Sequence, residues 1–389
     1  MRRSIIYFYG LVVTALVALG LVVLSSASGA NAVRLHGDPY FFMKRQFAYL
    51  VAGIAVAVAA AAFDYRKWRE HWMLAVLFYG VVFAMLWAVF GFKAVNGSHR
   101  WIPLGPVRLQ PSEFAKLATV VIVAVFLDKA GWRVELFRRG ALWPAAFIGL
   151  MALPVMLEPD FGSTMVIALA GLLVMFIAGV RILHLVPFAL AGFAALAYKV
   201  CTNANRMARL FAFTGWQPST DGVATAAVTD RAAEAATYQA KMALVAIQRG
   251  GVWGVGLGES MQKQLYLPEA HTDFIFAVGA EEMGLFFSVA VLTLFVLFFA
   301  LSVHIARSSQ DRLGRFLALG MAFIIFFQAV FNLGVVCEAL PTKGMALPFF
   351  SYGGTNLLSA FFAVGTILSV GIHSYRDKKR VLARSVLMR

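Results

Sequence analysis

Residues 273–302 read DFIFAVGAEEMGLFFSVAVLTLFVLFFALS, and the part from Met283 onward carries no charged side chain. A helix needs roughly 20 apolar residues to cross a hydrocarbon core about 30 Å thick. Apolar residues here do not alternate with polar ones, as they would in a strand of a membrane barrel. The stretch therefore predicts a membrane-spanning helix.

Nine other stretches show the same pattern, at 5–26, 46–63, 73–92, 113–127, 142–157, 162–180, 183–200, 316–338 and 357–373. The composition agrees, because 61% of the residues are hydrophobic and 14% are charged, against about 45–50% and about 25% in soluble domains. We predict an all-α polytopic membrane protein with about ten transmembrane helices. We expect one transmembrane domain over 1–375, a large extracytoplasmic loop at 201–272 between helices 7 and 8, and a basic cytoplasmic tail at 376–389.

The net charge of +15 could indicate a nucleic-acid-binding protein. Membrane proteins, however, concentrate lysine and arginine in their cytoplasmic segments. If successive helices cross the membrane in opposite directions, more than half of the 34 lysines and arginines lie on the same side of the membrane as the N-terminus. We therefore expect no nucleic-acid partner and predict that both termini are cytoplasmic. Two cysteines exclude a disulfide framework, and pairing of Cys201 with Cys337 stays open.

The second outer segment, 95–113, reads VNGSHRWIPLGPVRLQPSE. Its prolines and glycines predict a folded loop. Glu113 and Lys116, three residues apart, share one face of the next helix. Two interpretations are open: an interfacial ion pair beside a tryptophan anchor, or a cationic patch of Arg100, Arg108 and Lys116 that receives an anion.

The third outer segment, EPDFGS at 158–163, places Glu158 and Asp160 on either side of a proline. Proline cannot donate a helical hydrogen bond, and aspartate is favoured as the first residue before a helix. The motif is either a helix stop followed by an N-cap or the wall of a polar cavity.

The long loop 201–272 needs structure of its own. Its part from Thr229 to Arg249 has apolar residues at helical spacing, which predicts an interfacial amphipathic helix. Residues 250–258, GGVWGVGLG, contain a density of glycine that suits tight turns or backbone close to a ligand.

Asp273 lies where this loop enters the long apolar helix. A partly desolvated carboxylate has a raised pKa and is a plausible base; the alternative is an N-cap. His271, two residues earlier, is interpreted as a hydrogen-bonded neighbour.

The last outer segment, 338–355, again combines proline and glycine with one lysine, Lys343. Ionisable groups near a membrane interior are costly, so their collection predicts an outward-facing site for an anionic, membrane-borne ligand.

Taken together, four segments resemble the SEDS family of polytopic membrane proteins, and its cell-division branch more than its elongation branch. They are NGSHRWIPLGPVRLQPSEFAKL, EPDFGS, GGVWGVGLGESMQKQLYLPEAHTDFIFAVGAEEMG and LPTKGMALPFFSYGGTN, in the family's order. Thr355 and Asn356 depart from the small serines usual after the double glycine. Asp273 matches the essential aspartate of the family, and Arg100 matches the arginine of its SRWI-like segment.

The resemblance implies a peptidoglycan glycosyltransferase of the bacterial inner membrane that polymerises lipid II at the division septum, with its active site facing outward. Asp273 would be the general base of an inverting reaction with undecaprenyl diphosphate as leaving group, assisted by cationic side chains or a divalent cation, Mg²⁺ or Mn²⁺. The implied partners are an FtsI-like class B penicillin-binding transpeptidase and division-complex proteins. The expected substrate-binding residues are Arg100, Arg108, Glu113, Lys116, Glu158, His271, Lys343, Ser351 and Tyr352. An elongation-type polymerase, a lipid II flippase and a non-catalytic scaffold are the open alternatives.

Overall fold

The computed structural model describes residues 3–93, 98–105, 107–158, 160–202, 207, 213, 238–263, 267, 270–341 and 343–387. Within these ranges the protein is a bundle of helices with one short hairpin. Eight of the helices are long and apolar enough to cross a membrane. The prediction of an all-α polytopic membrane protein is therefore confirmed.

The helices are α1 (Arg3–His36), α2 (Phe41–Ala62), α3 (Lys67–Glu70), α4 (Trp72–Ala88), α5 (Pro111–Ala130), α6 (Trp143–Leu157), α7 (Phe161–Ile177), α8 (Ile182–Cys201), α9 (238–250), α10 (Ile275–Ser308), α11 (Arg312–Val336) and α12 (Gly354–Leu387). Short 3-10 turns occupy Val89–Gly91 and Gly131–Glu135, and a π-helical turn, Phe137–Leu142, leads into α6. Strands β1 (Ile102–Leu104) and β2 (Val107–Leu109) pair antiparallel.

Each of the ten predicted spans coincides with a helix, but two of those helices do not meet the length and hydropathy expected of a membrane span. The 20 residues of α5 include four charged side chains, and α7 has only 17 residues. The number ten therefore stays a prediction. Both helices lie inside the bundle, where protein rather than lipid surrounds them.

Helix α5 forms the centre of the bundle, because most of its side chains are buried against α4, α6, α7 and α11. Around it, α12 packs along α2, and α10 packs on α1 and α11. Small residues allow close contact of helices in a membrane. A Cβ on Gly365 of α12, for example, would overlap the backbone carbonyl of Ala57 in α2.

The long loop is described only in part. Helix α9 agrees with the second half of the amphipathic helix predicted from Thr229 to Arg249, and Ala240, Ala243 and Ala246 form its buried side. The rest of that prediction, up to residue 237, lies outside the described residues. Cys201 and Cys337 are both exposed free thiols.

The bundle has two ends with different contents. The first, here called the site end, collects the segments 98–113, 157–163, 270–275 and 336–354. The second, here called the opposite end, collects the segments 62–72, 128–143, 177–182 and 308–312 together with the last turns of α12. All four outer segments that the sequence analysis singled out contribute to the site end.

Candidate functional site

The hairpin β1–β2 is held between the first turns of α7 and α12. Gln110 Nε2 lies 3.4 Å from Asp160 Oδ2, and the Gln110 amide donates to Thr355 Oγ1 at 3.2 Å. Thr355 in turn donates to the carbonyl of Arg108 at 3.2 Å. Segments far apart in the chain therefore meet at one point of the site end.

The three cations of the predicted patch have different surroundings. Lys116 Nζ lies 2.7 Å from Glu113 Oε1, inside the protein, and Ser359 also donates to Glu113. The predicted pair of Glu113 and Lys116 is thus present, and it is buried rather than interfacial. Arg108 is exposed on β2, and Arg100 is half-buried. The structure therefore does not bring Lys116 to a surface that a ligand can reach.

Both interpretations of the EPDFGS segment have support in the structure. Asp160 is the N-cap of α7 and accepts a hydrogen bond from the Ser163 amide at 3.3 Å. Glu158 is fully buried, and its two carboxyl oxygens have no hydrogen-bond partner among the described residues. Arg100 Nε donates to the backbone carbonyl of Glu158 at 3.2 Å.

The two carboxyl groups of this segment have opposite protonation behaviour. Burial, together with the charge of Asp160, raises the pKa of Glu158 to about 8. Burial alone would also raise the pKa of Asp160, but the charges of Lys343 and Arg100 hold it below its usual value. At neutral pH the segment therefore presents one protonated and one ionised carboxyl group.

Lys343 reaches this segment from the loop between α11 and α12. Its ammonium lies 4.8 Å from the centre of the Phe161 ring. A Cβ added to Gly162 would meet Lys343 Cε at 3.3 Å. The lysine thus lies over the first turn of α7, where its charge acts on Asp160.

Asp273 lies beside the same loop, one residue before Phe274, the N-cap residue of α10. A Cβ on Gly344 would overlap its carboxylate, so only a glycine leaves room there. Asn332 Nδ2 donates at 2.7 Å both to the carbonyl of Asp273 and to that of Met345. The loop that carries Lys343 is therefore fastened directly to the backbone of Asp273.

Further contacts hold the approach to Asp273. Ser351 donates to the Thr272 carbonyl at 2.6 Å, and the Tyr352 amide donates to the His271 carbonyl at 3.0 Å. The His271 ring lies against Phe42, with centroids 4.9 Å apart. As predicted for a hydrogen-bonded neighbour, its Nδ1 lies 3.5 Å from Asn31 Nδ2. In this geometry Ser351 and His271 position Asp273.

The glycine-rich segment 250–258 approaches protein backbone. The amides of Val255 and Gly256 donate to the carbonyls of Glu281 and Glu282, each at 3.0 Å. The carboxylate of Glu281 accepts from the Met261 amide at 3.2 Å, and that of Glu282 pairs with Lys263 at 2.9 Å. Of the two roles considered for these glycines, the structure supports close packing and tight turns.

In the part of the chain that the structure describes, no group of three or more His, Cys, Asp or Glu side chains converges to hold a metal ion. A divalent cation therefore stays a prediction. Such a cation would need ligands other than a cluster of protein side chains, for example the phosphate oxygens of a substrate.

Sequence reasoning missed two residues that define the position of Asp273. Asn332 carried a signal, because a polar side chain in an apolar helix is a functional candidate, but its partners could not be read from the chain. Gly344 carried no sequence signal except its place in a loop that contains glycine. Its importance arises only from contact with another segment.

Comparison with known proteins identifies the architecture. A family model described as "Cell cycle protein", FTSW_RODA_SPOVE, matches residues 7–376. The chain belongs to the FtsW/RodA/SpoVE family. The resemblance to SEDS proteins drawn from the four motifs is thereby confirmed.

Curated relatives in the FtsW/RodA/SpoVE family match nearly the whole chain. A protein of Nitrosococcus halophilus is 39% identical over 385 residues, which cover 98% of this chain and 95% of the relative. One of Trichlorobacter lovleyi is 36% identical over 362 residues, which cover 92% and 91%. Both are named "Probable peptidoglycan glycosyltransferase FtsW".

Solved structures give the same result for the fold. The chain matches one described as "Structural coordination of polymerization and crosslinking by a peptidoglycan synthase complex", with a TM-score of 0.71 and 27% identity, over 95% of this chain and 98% of the other. It matches the rod shape determining protein RodA of Thermus thermophilus with a TM-score of 0.66 and 26% identity, over 95% and 97%. This chain is thus a multi-pass membrane protein of the same fold.

Proposed function

We propose that this chain polymerises lipid II into β-1,4-linked glycan strands at the division septum, with Asp273 as the general base. The activity class, peptidoglycan glycosyltransferase, follows from its family and from relatives that carry this name. One observation supports the site assignment above the others. The loop 338–354 places Lys343 over the first turn of α7, where its charge acts on Asp160, and Gly344 against the carboxylate of Asp273.

In this reaction the acceptor is the 4-hydroxyl of a GlcNAc residue on a lipid-linked molecule. Asp273 takes the proton of that hydroxyl as its oxygen attacks the anomeric carbon of the donor. The bond from that carbon to the diphosphate breaks, and the electron pair leaves with undecaprenyl diphosphate. Direct displacement converts an α-linked donor into a β-1,4 bond, so no covalent intermediate with the protein is needed.

The leaving diphosphate gains negative charge as the bond breaks, and positioned cations stabilise such charge. Arg100 and Lys343 supply it in this proposal, because the charges of both act on Asp160 at the site end. Arg108, exposed on the hairpin, is suited to the first contact with an anionic headgroup. Mg²⁺ or Mn²⁺ bound through the diphosphate would supply further positive charge.

Several expected residues have a different role in this proposal. Glu113 and Lys116 form a buried pair that fixes the first turns of α5. Ser351 and Tyr352 hold the chain just before Asp273, because they donate hydrogen bonds to the backbone carbonyls of Thr272 and His271. They act as positioning residues rather than as direct contacts of the substrate.

The orientation and the partner belong to the same proposal. With both termini in the cytoplasm, the site end faces the outside of the membrane, where the glycan strand is built. A solved structure of similar fold is described as a synthase complex that coordinates polymerization with crosslinking. We infer an FtsI-like class B transpeptidase as the partner of this chain, together with other division proteins.

The test is polymerisation of labelled lipid II by the purified full-length protein with its cognate transpeptidase. Asp273→Asn keeps the size of the side chain but removes the base, so we expect a loss of at least about 100-fold. The matched control is Asp38→Asn, because Asp38 is an exposed aspartate that pairs with Lys44. Both variants must show the unfolding temperature of the parent.

Equal polymer from the parent and from folded Asp273→Asn would contradict the role of Asp273 as base. If the parent complex made no polymer but moved lipid II across vesicles, the flippase alternative would replace the proposal. A parent that does neither, yet stimulates its transpeptidase, would favour the scaffold.

A further inference from the structure

A cavity of about 450 Å³ lies between α4, α5 and the start of α6. This volume falls in the range of about 300–1,000 Å³ that is usual for binding sites of small molecules. Its inner wall is apolar and includes Val76, Ile122, Val125, Phe126 and Phe147. Nothing in the proposed glycosyl transfer uses this cavity.

The cavity belongs to the opposite end of the bundle. Its lining includes Lys129 in the last turn of α5, whereas Glu113 lies in the first turn of the same helix. At 1.5 Å per residue these two positions are about 24 Å apart along the helix axis. A hydrocarbon core is about 30 Å thick, so the cavity and the candidate active site lie near different membrane surfaces.

Polar groups are confined to one rim of the cavity. Lys129 and Arg139 both line it, and both are exposed. Trp72 and Trp143, the first residues of α4 and α6, also line it and are half exposed. The Lys129 ammonium lies 4.9 Å from the centre of the Trp72 ring. Tryptophans of this kind mark the level of lipid headgroups.

The arrangement of charge and apolar surface matches one kind of molecule. An apolar wall within the span of the membrane suits an acyl chain, and two cations at the headgroup level suit a phosphate. Basic pockets between transmembrane helices are known to bind anionic headgroups. A neutral lipid would satisfy the wall but not the two charges.

We propose that this cavity is a binding site for an anionic phospholipid of the leaflet at the opposite end. One acyl chain lies against the wall formed by α4, α5 and α6, and the phosphate lies at the rim with Lys129 and Arg139. Lipid binding in this cavity does not depend on the glycosyltransferase activity proposed for the site end. The occupant of the cavity ties the starts of α4 and α6 to the end of α5.

The test uses the full-length protein, delipidated in neutral detergent. It is titrated with phosphatidylglycerol or with phosphatidylcholine of the same acyl chains, and bound lipid is counted by native mass spectrometry. Two interfacial cations together favour the anionic lipid about 30-fold. We expect one tightly bound phosphatidylglycerol molecule per protein. The double variant Lys129→Gln/Arg139→Gln should lose the preference for phosphatidylglycerol over phosphatidylcholine.

The matched control is Arg133→Gln/Arg138→Gln, which removes two positive charges from the same loop but none from the cavity rim. This control should keep the preference. A parent that binds both lipids equally would overturn the proposal. An equal loss in the two double variants would also overturn it, because it would assign the preference to the loop charge as a whole.

A second variant tests the apolar wall without changing any charge. Val76 is partly exposed on α4 and lines the cavity. Val76→Trp should fill part of the cavity and lower the affinity for both lipids about equally, by about tenfold. Unchanged lipid binding in a folded Val76→Trp protein, or displacement of the lipid by glycerol 1-phosphate alone, would contradict the placement of an acyl chain in the cavity.

Discussion

Both ends of the bundle carry charged residues, but they use them differently. At the opposite end Arg69 lies 2.9 Å from Asp311 and 3.3 Å from Asp128, and Arg66 pairs with Asp377. At the site end the two carboxyl oxygens of the fully buried Glu158 have no hydrogen-bond partner among the described residues. Asp160 there is stabilised by two cations from different segments.

This difference separates structural charge from functional charge. Pairs such as Arg69 with Asp311 neutralise each other, so they join helices without offering charge to a ligand. A cluster whose acids and bases come from separate loops retains an electrostatic field in the space between them. The comparison predicts that substitutions of charged residues at the site end change activity, whereas substitutions that break the ion pairs of the opposite end change stability.

The largest effect should follow removal of the site-end cations. The double variant Arg100→Gln/Lys343→Gln should lower the polymerisation rate by about 10²–10³, because the leaving diphosphate loses the groups that stabilise it. Lys44→Gln is the control, since Lys44 is an exposed lysine at the same end. The measurement is the initial rate with labelled lipid II. A folded double variant with parental rate would remove these cations from the mechanism.

Gly344→Ala should give the next largest effect. The new Cβ would overlap the carboxylate of Asp273, and a displacement of about 1 Å in an active site can cost about 100-fold in rate. Gly353→Ala serves as the control, because its Cβ would meet Asn356 only at an ordinary 3.7 Å. The same rate assay compares them. Equal rates would show that the carboxylate can move aside without loss.

At the opposite end we expect a smaller effect, on stability alone. Arg69→Gln leaves Asp128, which is 6% exposed, without its cation. We expect a loss of about 1 kcal/mol, since Arg69 itself is partly in solvent. Thermal unfolding of the purified protein measures it. Arg181→Gln, which breaks an exposed pair with Glu135, should change the unfolding temperature little. A fall in polymerisation by folded Arg69→Gln would break the distinction between the ends.

The last effect concerns stability alone, through the pH dependence of Glu158, and leaves the polymerisation rate unchanged. Its folded pKa of about 8 lies above its ordinary value, so the native state retains a proton that the unfolded chain has lost. The stability that this proton contributes is present at low pH and is lost as pH rises through 8. Relative to Glu158→Gln, the parent's unfolding temperature should fall by about 5 °C from about pH 5 to about pH 9. A constant difference would mean that Glu158 is ionised throughout.

The fold could be predicted largely because lipid imposes a simple rule on sequence. Long apolar stretches such as 273–302 must be helices that satisfy their own backbone. The rule weakens inside a bundle, where α5 tolerates four charged residues because Glu113 and Lys116 pair with each other. Hydropathy therefore located the helices well but did not fix how many of them face lipid.

The site could be predicted only as separate segments. Asp273, Arg100 and Lys343 stood out through residue type and family resemblance. The hydrogen bonds of Asn332 to Asp273 and of Gln110 to Thr355 join residues 59 and 245 positions apart. Spacing along one chain carries no information about such pairs. The burial of Lys116 could not be predicted for the same reason, since it depends on the surrounding helices.

Helix α10 is not one rigid rod, because Gly284 has φ +70° and interrupts it. The glycine-rich segment closes the gap, and the Leu285 amide donates to the Gly251 carbonyl at 3.0 Å. The first part of the helix, with Asp273 ahead of it, is thereby anchored to loops. The second part, down to Ser308, lies beyond this break in the helix. A bilayer of different hydrophobic thickness favours a different helix tilt, and we expect the break at Gly284 to limit how far such a tilt displaces Asp273.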